Sequence, residues 1–273
     1  MSGWRKFSGH GGGALTGAAD SDRFSKRFTG RVDSYRQFRP RYPGAVVGLL
    51  ETECELTTSS AIADIAAGTG LLAEIFLARG YEVVAVEPNE EMRAACETLV
   101  EQYPRLRCVA GIAEATGLPS HSFDLITVGQ ALHWFDLKRT RAEFARILRP
   151  DSWCAVIYNE RRLGGDDFHD GYERLLCEFG VDYEVVQRQH LTLDQIQGFF
   201  APDEMRRTVF PNAQFLTLEA LEGRIISSSY MPKPGHTRYA AMRGAIANLF
   251  EKHQESGRVL LEYDSSVSYG QLA

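Results

Sequence analysis

The residues best placed to do chemistry are two acids and the glycine turn between them. Asp64 ends a short apolar run, Ala61-Ile62-Ala63, and is followed by Ile65 and the small-residue turn Ala66-Ala67-Gly68-Thr69-Gly70. Leu71–Gly80 then carries apolar residues on a period near 3.6 and stops at a glycine, which predicts a helix. Strand, glycine turn and helix in that order let backbone approach a ligand that side chains would hold off. The helix start offers it unpaired N–H groups. A second apolar run, Tyr81–Val86, ends on Glu87, 23 positions after Asp64. In nucleotide-binding α/β folds an acid about 20 residues past the glycine turn holds the ribose hydroxyls, whose pairing matches a carboxylate's two oxygens. A solvated helix cap is the plain alternative for Glu87 taken alone. With Asp64 and the glycines at this spacing, a bound nucleoside is the better reading.

The rest of the chain must position that turn. Its 273 residues allow one large domain, or one with a sizeable insertion. A hydrophobic content of 44% and a charged content of 24% suit a chain that buries a core. A net charge of −6 argues against a nucleic-acid partner, which needs a basic face, although Arg31, Arg36, Arg39 and Arg41 cluster, as do Arg139, Arg141, Arg146 and Arg149. The five cysteines, Cys54, Cys96, Cys108, Cys154 and Cys177, show no C-x-x-C pair and no metal spacing, so free thiols in a cytoplasmic protein are expected. No stretch reaches the roughly 20 apolar residues of a membrane span, and the start of the chain has no apolar signal core.

Residues 1–20, rich in glycine and small side chains, read as a mobile tail. Aromatics follow at Phe24, Phe28, Tyr35 and Phe38, and Arg39-Pro40-Arg41-Tyr42-Pro43 breaks any helix there. A helix is expected from Pro43 through Leu50. Beyond Glu87 the pattern predicts a helix from Asn89, a plausible N-cap, to about Tyr103, with Met92 on its inner face. Leu106–Ile112, Phe123–Val128 and Trp153–Tyr158 read as strands, with a helix over Leu137–Leu148. Strands alternating with helices of this length predict βαβ units and a parallel sheet with its ligand edge at the strand carboxyl ends. Later segments predict helices at Phe168–Phe179, Leu193–Phe200, Leu218–Ser227 and Thr237–Lys252 and a strand at Arg207–Leu216. A closing hairpin turns around Asp264-Ser265. The expected organisation is a core of residues 21–161 and 236–273, with its N-terminal part as a lid, and a cap insertion over 162–235.

Four stretches resemble the class I S-adenosylmethionine-dependent methyltransferases of the broad methyltransferase type 11 group. They are Asp64–Gly70, Val84–Asn89 with Met92, Ala110–Pro119 and Phe123–Phe135. The resemblance covers about residues 30–160, and among such enzymes it is nearest to the trans-aconitate and cantharidin types. It implies an α/β, Rossmann-like, doubly wound sheet of seven mostly parallel strands with a C-terminal antiparallel hairpin and a helical cap. It also implies S-adenosyl-L-methionine as cofactor and a small-molecule methyl acceptor, with a carboxylate or hydroxyl oxygen methylated. A monomer or homodimer without nucleic acid or membrane is expected. Ala66 stands where the family's first glycine is usual. Ile112 stands where many members carry an aspartate, leaving the adenine to Glu114 or the Ala113–Glu114 backbone.

Carried over residue by residue, Asp64 orients the turn or the methionine end. Ala66, Gly68, Thr69 and Gly70 form the backbone cradle, and Glu87 takes the ribose. Pro88 and Met92 pack near the adenine, and Gln130 and Ala131 lie by the methionine moiety. His133 and Trp134 form a wall towards the acceptor, with His133 a weak candidate for general base. Tyr35, Arg39 and Tyr42 form a lid over the cofactor, and Asn159 and Tyr230 line the pocket. Each has a bland counterpart: Met92 as plain core, Trp134 as a strand cap, His133 as a packed imidazole, Arg39 as a brace for its proline turn. A dinucleotide-dependent oxidoreductase is the rival, because Gly68-Thr69-Gly70-Leu71-Leu72-Ala73 matches G-x-G-x-x-A and Glu87 would serve an NAD ribose equally well. A non-catalytic nucleoside-binding protein is the third reading.

Overall fold

Apolar runs bounded by turns become seven strands: β1 (Ala61–Ile65), β2 (Glu82–Val86), β3 (Leu106–Val109), β4 (Phe123–Gly129), β5 (Leu148–Arg161), β6 (Arg206–Leu216) and β7 (Val259–Gln271). They form one sheet in the order β3-β2-β1-β4-β5-β7-β6. The first five pair in parallel, and β7 is antiparallel to both β5 and β6. These coordinates are a computed structural model that describes residues 30 and 32–272. The expected tail, Phe24, Phe28 and Arg31 lie outside the described residues.

Side chains alternate across a strand, and each face of the sheet is covered by helices. On one face Ile62, Val83 and Leu125 pack with Val46, Val47 and Leu50 of α2 (Ala45–Glu53) and with Phe76 of α3 (Ala73–Leu77). On the other, Ala63, Ile65, Ile126 and Val128 pack with Phe144 and Ile147 of α5 (Leu137–Ile147) and Phe199 and Phe200 of α8 (Leu193–Phe200). The remaining helices are α1 (Val32–Phe38), α4 (Glu90–Glu97), α6 (Asp167–Phe179), α7 (Tyr183–Gln189), α9 (Leu218–Ile226) and α10 (Tyr239–His253). The helix expected over Leu71–Gly80 is shorter, because Gly70 to Leu72 still belong to the turn.

One expectation changes at the C-terminal edge. An antiparallel pair is present, but its turn is not at Asp264-Ser265: Val259–Gln271 is one unbroken strand, and its partners are β5 and β6. Asp264 and Ser265 sit mid-strand opposite Glu160 and Asn159, and the ladder hydrogen bonds there outweigh the turn preference of an Asp-Ser pair. Within the range 162–235, β6 is the outer strand of the sheet, and α8 packs in the core with Phe144 and Ile147 of α5. A third core joins Tyr172 and Leu176 of α6, Leu221 and Ile225 of α9, and Met242 and Ile246 of α10 to Leu261 and Tyr263 of β7.

That third core lies at the ligand edge because β5 and β7 overshoot the other strands. Gly129, the last residue of β4, pairs with Ile157, so Tyr158 to Arg161 run on past it. Being antiparallel, β7 begins beside that extension, with Tyr263 opposite Arg161. The helices anchored there hold α1 against α9 at very close range: a Cβ on Gly223 would stand 2.1 Å from the Phe38 ring. Gly223→Ala is therefore expected to cost about 1–3 kcal/mol through overpacking, lowering Tm by several degrees in a thermal melt. An unchanged Tm would contradict the contact.

Candidate active site

The chain leaves β1 in one direction, to β2 and β3, and then crosses to β4 and β5 on the other side. The carboxyl ends of β1 and β4 are thus a topological switch point, where open α/β sheets hold ligands. Two adjoining cavities open there. Gly68, Glu87, Pro88, Met92, Ile112, Ala113, Glu114, Ala131 and Phe135 line the first. Arg39, Tyr42, Asp64, His133, Asn159 and Tyr230 line the second, with Arg161, His190 and Arg224. Tyr35, Ala66, Gly129, Gln130 and Trp134 belong to both.

Glu87 is fixed by backbone donors. Its Oε2 accepts from Gly68 N–H at 2.9 Å and its Oε1 from Asn89 N–H at 2.8 Å. Asn89 in turn caps α4, its side chain accepting from Met92 N–H at 2.9 Å, a cap worth about 1 kcal/mol. Burial raises the Glu87 pKa, against the pull of those two N–H groups. Each carboxylate oxygen has a second lone pair, so Glu87 keeps acceptor capacity on the cavity wall. The bare Cα of Gly68 is the cradle: its φ is +58°, and a Cβ there meets no protein atom within 4 Å.

Asp64 is almost fully buried and stands in register with Thr127, whose hydroxyl donates to Oδ1 at 2.9 Å. Oδ2 has no hydrogen-bond partner. Burial raises the Asp64 pKa to about 7, with Thr127 and the Ala73 N–H opposing and nearby Glu87 adding to the rise.

Two other positions differ from the sequence reading. Gly70 lines neither cavity, and a Cβ there would meet Leu99 at 2.7 Å and Cys96 at 2.8 Å. Its glycine serves packing against α4 and the turn after it. Thr69 is buried with its hydroxyl unpartnered and lines neither cavity. Ala66 holds the turn at φ +54°, and Gln130, just past the end of β4, has φ +59°. Left-handed backbone at a residue with a Cβ costs roughly 1–2 kcal/mol, and such strain gathers at functional sites.

In the second cavity His133 Nδ1 lies 3.2 Å from the Tyr158 hydroxyl, and its ring stacks on His190 at 5.1 Å. Burial, then His190, lowers the His133 pKa to about 3, so the imidazole is neutral and a poor base. Burial, then Arg161, lowers His190 as well. Asn159 lines the cavity, yet its side chain is engaged. Nδ2 donates to the Pro40 and Arg41 carbonyls at 3.4 and 3.5 Å, and Oδ1 accepts from Asn212 at 3.2 Å and from the Ser265 hydroxyl. It ties the Arg39–Tyr42 loop to β5. Glu114 likewise spends Oε1 on the Asp136 N–H at 2.8 Å, at the start of α5. The two basic clusters are largely dispersed into ion pairs, Arg41 with Glu74, Arg141 with Asp203, Arg146 with Glu143 and Arg149 with Asp124.

Arg161, His190 and Arg224 escaped the sequence reading as site residues. Arg224 had a signal: it is a lone charge on the buried face of α9, beside Leu221 and Ile225. His190 had none.

Residues 63–156 match the methyltransferase domain family. The chain is 32% identical over 207 residues to an uncharacterized methyltransferase of Mycobacterium tuberculosis, covering 76% of this chain and 78% of that protein. It is 27% identical over 248 residues to an uncharacterized methyltransferase-like protein of Schizosaccharomyces pombe, covering 88% and 93%. Among solved structures, the YcgJ protein of Bacillus subtilis shares the fold with a TM-score of 0.54 at 18% identity, over 84% of this chain and 98% of that one. Phosphoethanolamine N-methyltransferase 2 of Haemonchus contortus, solved with S-adenosyl-L-methionine, aligns with a TM-score of 0.55 at 17% identity over 94% of this chain and 60% of its own.

The chain belongs to the class I S-adenosylmethionine-dependent methyltransferases, and the oxidoreductase and non-catalytic readings fall away. The site suits the donor: a cradle that a Cβ would fill at Gly68, an orphaned buried carboxylate oxygen on Asp64, and a carboxylate with spare lone pairs on Glu87. Among the described residues no helix is long and apolar enough to cross a membrane, and no group of His, Cys, Asp and Glu is placed to hold a metal.

The elevated pKa of Asp64 has a measurable sign. A carboxyl whose folded pKa lies above its unfolded value destabilises the fold as pH rises from about 4 through about 7. The gap between 3.8 and about 7 corresponds to roughly 4 kcal/mol. Asp64→Asn is expected to gain stability over the wild type across that window and to hold the gain above it, measured by denaturant melts of the ligand-free protein at pH 4, 6 and 8. A constant difference at all three would contradict the assignment.

Proposed function

We propose that the chain transfers the methyl group of S-adenosylmethionine to a carboxylate oxygen of a small acid. The observation that carries the choice of acceptor is the state of His133: neutral, with a pKa of about 3, and beside a second depressed imidazole. A hydroxyl acceptor gains from a base at this wall, which an imidazole of such low basicity does not supply, whereas a carboxylate is already ionised near neutrality. A neutral imidazole also adds no positive charge near a cationic donor. The resemblance to small-acid methyltransferases agrees with this acceptor.

S-adenosylmethionine, when bound, supplies an electrophilic methyl on a sulfonium; an acceptor oxygen lone pair forms the C–O bond as the C–S bond breaks, and the bonding pair stays on sulfur. Glu87 accepts from the ribose hydroxyls while Gly68 and Asn89 hold its carboxylate in place. Pro88, Met92, Ile112 and the Ala113–Glu114 backbone enclose the adenine. The free oxygen of Asp64 takes the ammonium of the methionine end, which draws the carboxyl towards its ionised form. Ala66, Gln130 and Ala131 present backbone at that end. Tyr35 and Trp134 line both cavities, and their ring faces suit a cationic sulfur. Tyr42, Asn159 and Tyr230 shape the acceptor side. Alignment of oxygen and methyl by these walls can supply about 7–11 kcal/mol of the barrier.

Transfer of labelled methyl across a panel of small carboxylic acids, phenols and amines tests the proposal. The expected product is an ester whose label is released as methanol by mild alkali. An alkali-stable product on a phenol or amine would overturn the carboxylate assignment. Glu87→Ala is expected to weaken S-adenosylhomocysteine binding by about 1.5–3 kcal/mol, the worth of a hydrogen bond to a charged group, read by calorimetry. Unchanged affinity would refute the ribose role.

A further inference from the structure

The second cavity holds more positive charge than the protein itself neutralises. Three guanidiniums line it, from Arg39, Arg161 and Arg224. Arg161 is answered: its Nη2 donates to Glu173 at 2.9 Å and to the Tyr183 hydroxyl at 3.0 Å. Arg39 and Arg224 are not. Arg39 Nη2 donates to the Ser227 carbonyl at 3.1 Å, its guanidinium lies 4.8 Å over the Tyr35 ring, and its Nε is buried with no partner. Arg224 is 4% exposed, and its Nε donates to the Tyr263 hydroxyl at 3.1 Å and its Nη1 to the Ser228 hydroxyl at 3.3 Å. Among the described residues neither has a carboxylate partner.

The two cations are close together. Both are tied to the turn that ends α9, Arg39 through Ser227 and Arg224 through Ser228. Arg39 has its pKa lowered by burial and then by Arg224. Burial alone would raise Tyr230, yet Arg161, Arg224, a hydrogen bond with the Ser228 side chain and Arg39 together bring it below its ordinary value. Asp64 is the single carboxylate on the cavity wall, and it sits at the tip of β1 with Thr127. A buried charge without a counter-charge costs several kcal/mol, and two side by side cost more. The phenols of Tyr263, Tyr172 and Tyr230 offset burial at Arg224 and raise its pKa, but no carboxylate among the described residues pairs with either guanidinium, which leaves room for a bound anion to supply the counter-charge.

We propose that Arg39 and Arg224 form a clamp for a non-reacting anionic group of the acceptor, and that the acceptor therefore carries at least two negative charges. This rests on the methyl-transfer reading above. One carboxylate faces the sulfonium and reacts. The other group, a carboxylate or a phosphate, answers the two guanidiniums, which are planar donors suited to either. The reaction converts the reacting carboxylate to a neutral ester and the sulfonium to a neutral thioether, with no proton transferred. The clamped anion is untouched and holds the acceptor in register throughout.

The test is calorimetric titration of the protein loaded with S-adenosylhomocysteine. The probes are glutarate, phosphoglycolate, monomethyl glutarate and dimethyl glutarate. Glutarate and phosphoglycolate separate a carboxylate from a phosphate as the clamped group, and binding by either supports the clamp. The expected result is that at least one of them binds, that monomethyl glutarate keeps part of that affinity, and that the neutral diester does not bind. Arg39→Gln and Arg224→Gln should each weaken the bound probe about tenfold or more, the usual penalty for losing a charged hydrogen-bond donor, while the S-adenosylhomocysteine affinity of Arg224→Gln stays within about threefold. If Arg224→Gln fails to fold, Arg224→Lys, which keeps the charge, should retain most of the binding that Arg39→Gln loses. The clamp is overturned if neither dianion binds the loaded protein, if the diester binds as well as glutarate, or if the glutamine variants bind like wild type. Failure of the wild-type protein to bind S-adenosylhomocysteine would instead overturn the methyl-transfer reading beneath it.

Discussion

A carboxyl buried at the tip of the central strand is the constraint on which the site depends. Asp64 is placed by the parallel register of β1 and β4, which sets it opposite Thr127; the residue lines the second cavity, and its Oδ2 has no hydrogen-bond partner. The same register brings the turn after β1 level with the end of β4, and Ala66 and Gln130 line both cavities there. Both adopt left-handed backbone that disfavours a side chain. The strain is tolerable because apolar cores on both faces of the sheet over-determine the strands on which these residues sit.

The two cavities divide the chemistry by charge. The first is bounded by Glu87 and Glu114 and by apolar walls from Met92 and Ile112, an environment for a nucleoside. The second is dominated by arginine, in a chain whose net charge is −6. Where they join, aromatic rings from Tyr35 and Trp134 and neutral backbone separate acid from base. Burial holds both imidazoles of the second cavity, His133 and His190, below their ordinary pKa.

The cofactor half was legible because its residues are close in sequence. Asp64, Gly68 and Glu87 fall within two successive strand ends, and strand, turn and helix have distinct periodicities. Even there the glycines carried different meanings that spacing alone does not separate: Gly68 opens a cradle, while Gly70 admits Cys96 and Leu99. In the second cavity Tyr42, His133, Trp134, Asn159 and Tyr230 were legible, whereas the grouping of its arginines was not. Arg39, Arg161 and Arg224 come from a loop, a strand extension and a helix far apart in the chain, and only the third core brings them together. The closing strand was misread as a hairpin because Asp264-Ser265 has the composition of a turn. Its neighbours in the sheet, which no local pattern contains, keep it extended.

The most direct measurement is a crystal structure with S-adenosylhomocysteine. The account predicts ribose hydroxyls within hydrogen-bond distance of Glu87, with that carboxylate still held by Gly68 and Asn89. It also predicts adenine between Met92 and Ile112 and the amino group of the homocysteine moiety on the free oxygen of Asp64. A nucleoside seated away from Glu87, or an Asp64 that still faces no cationic group with the ligand bound, would contradict it.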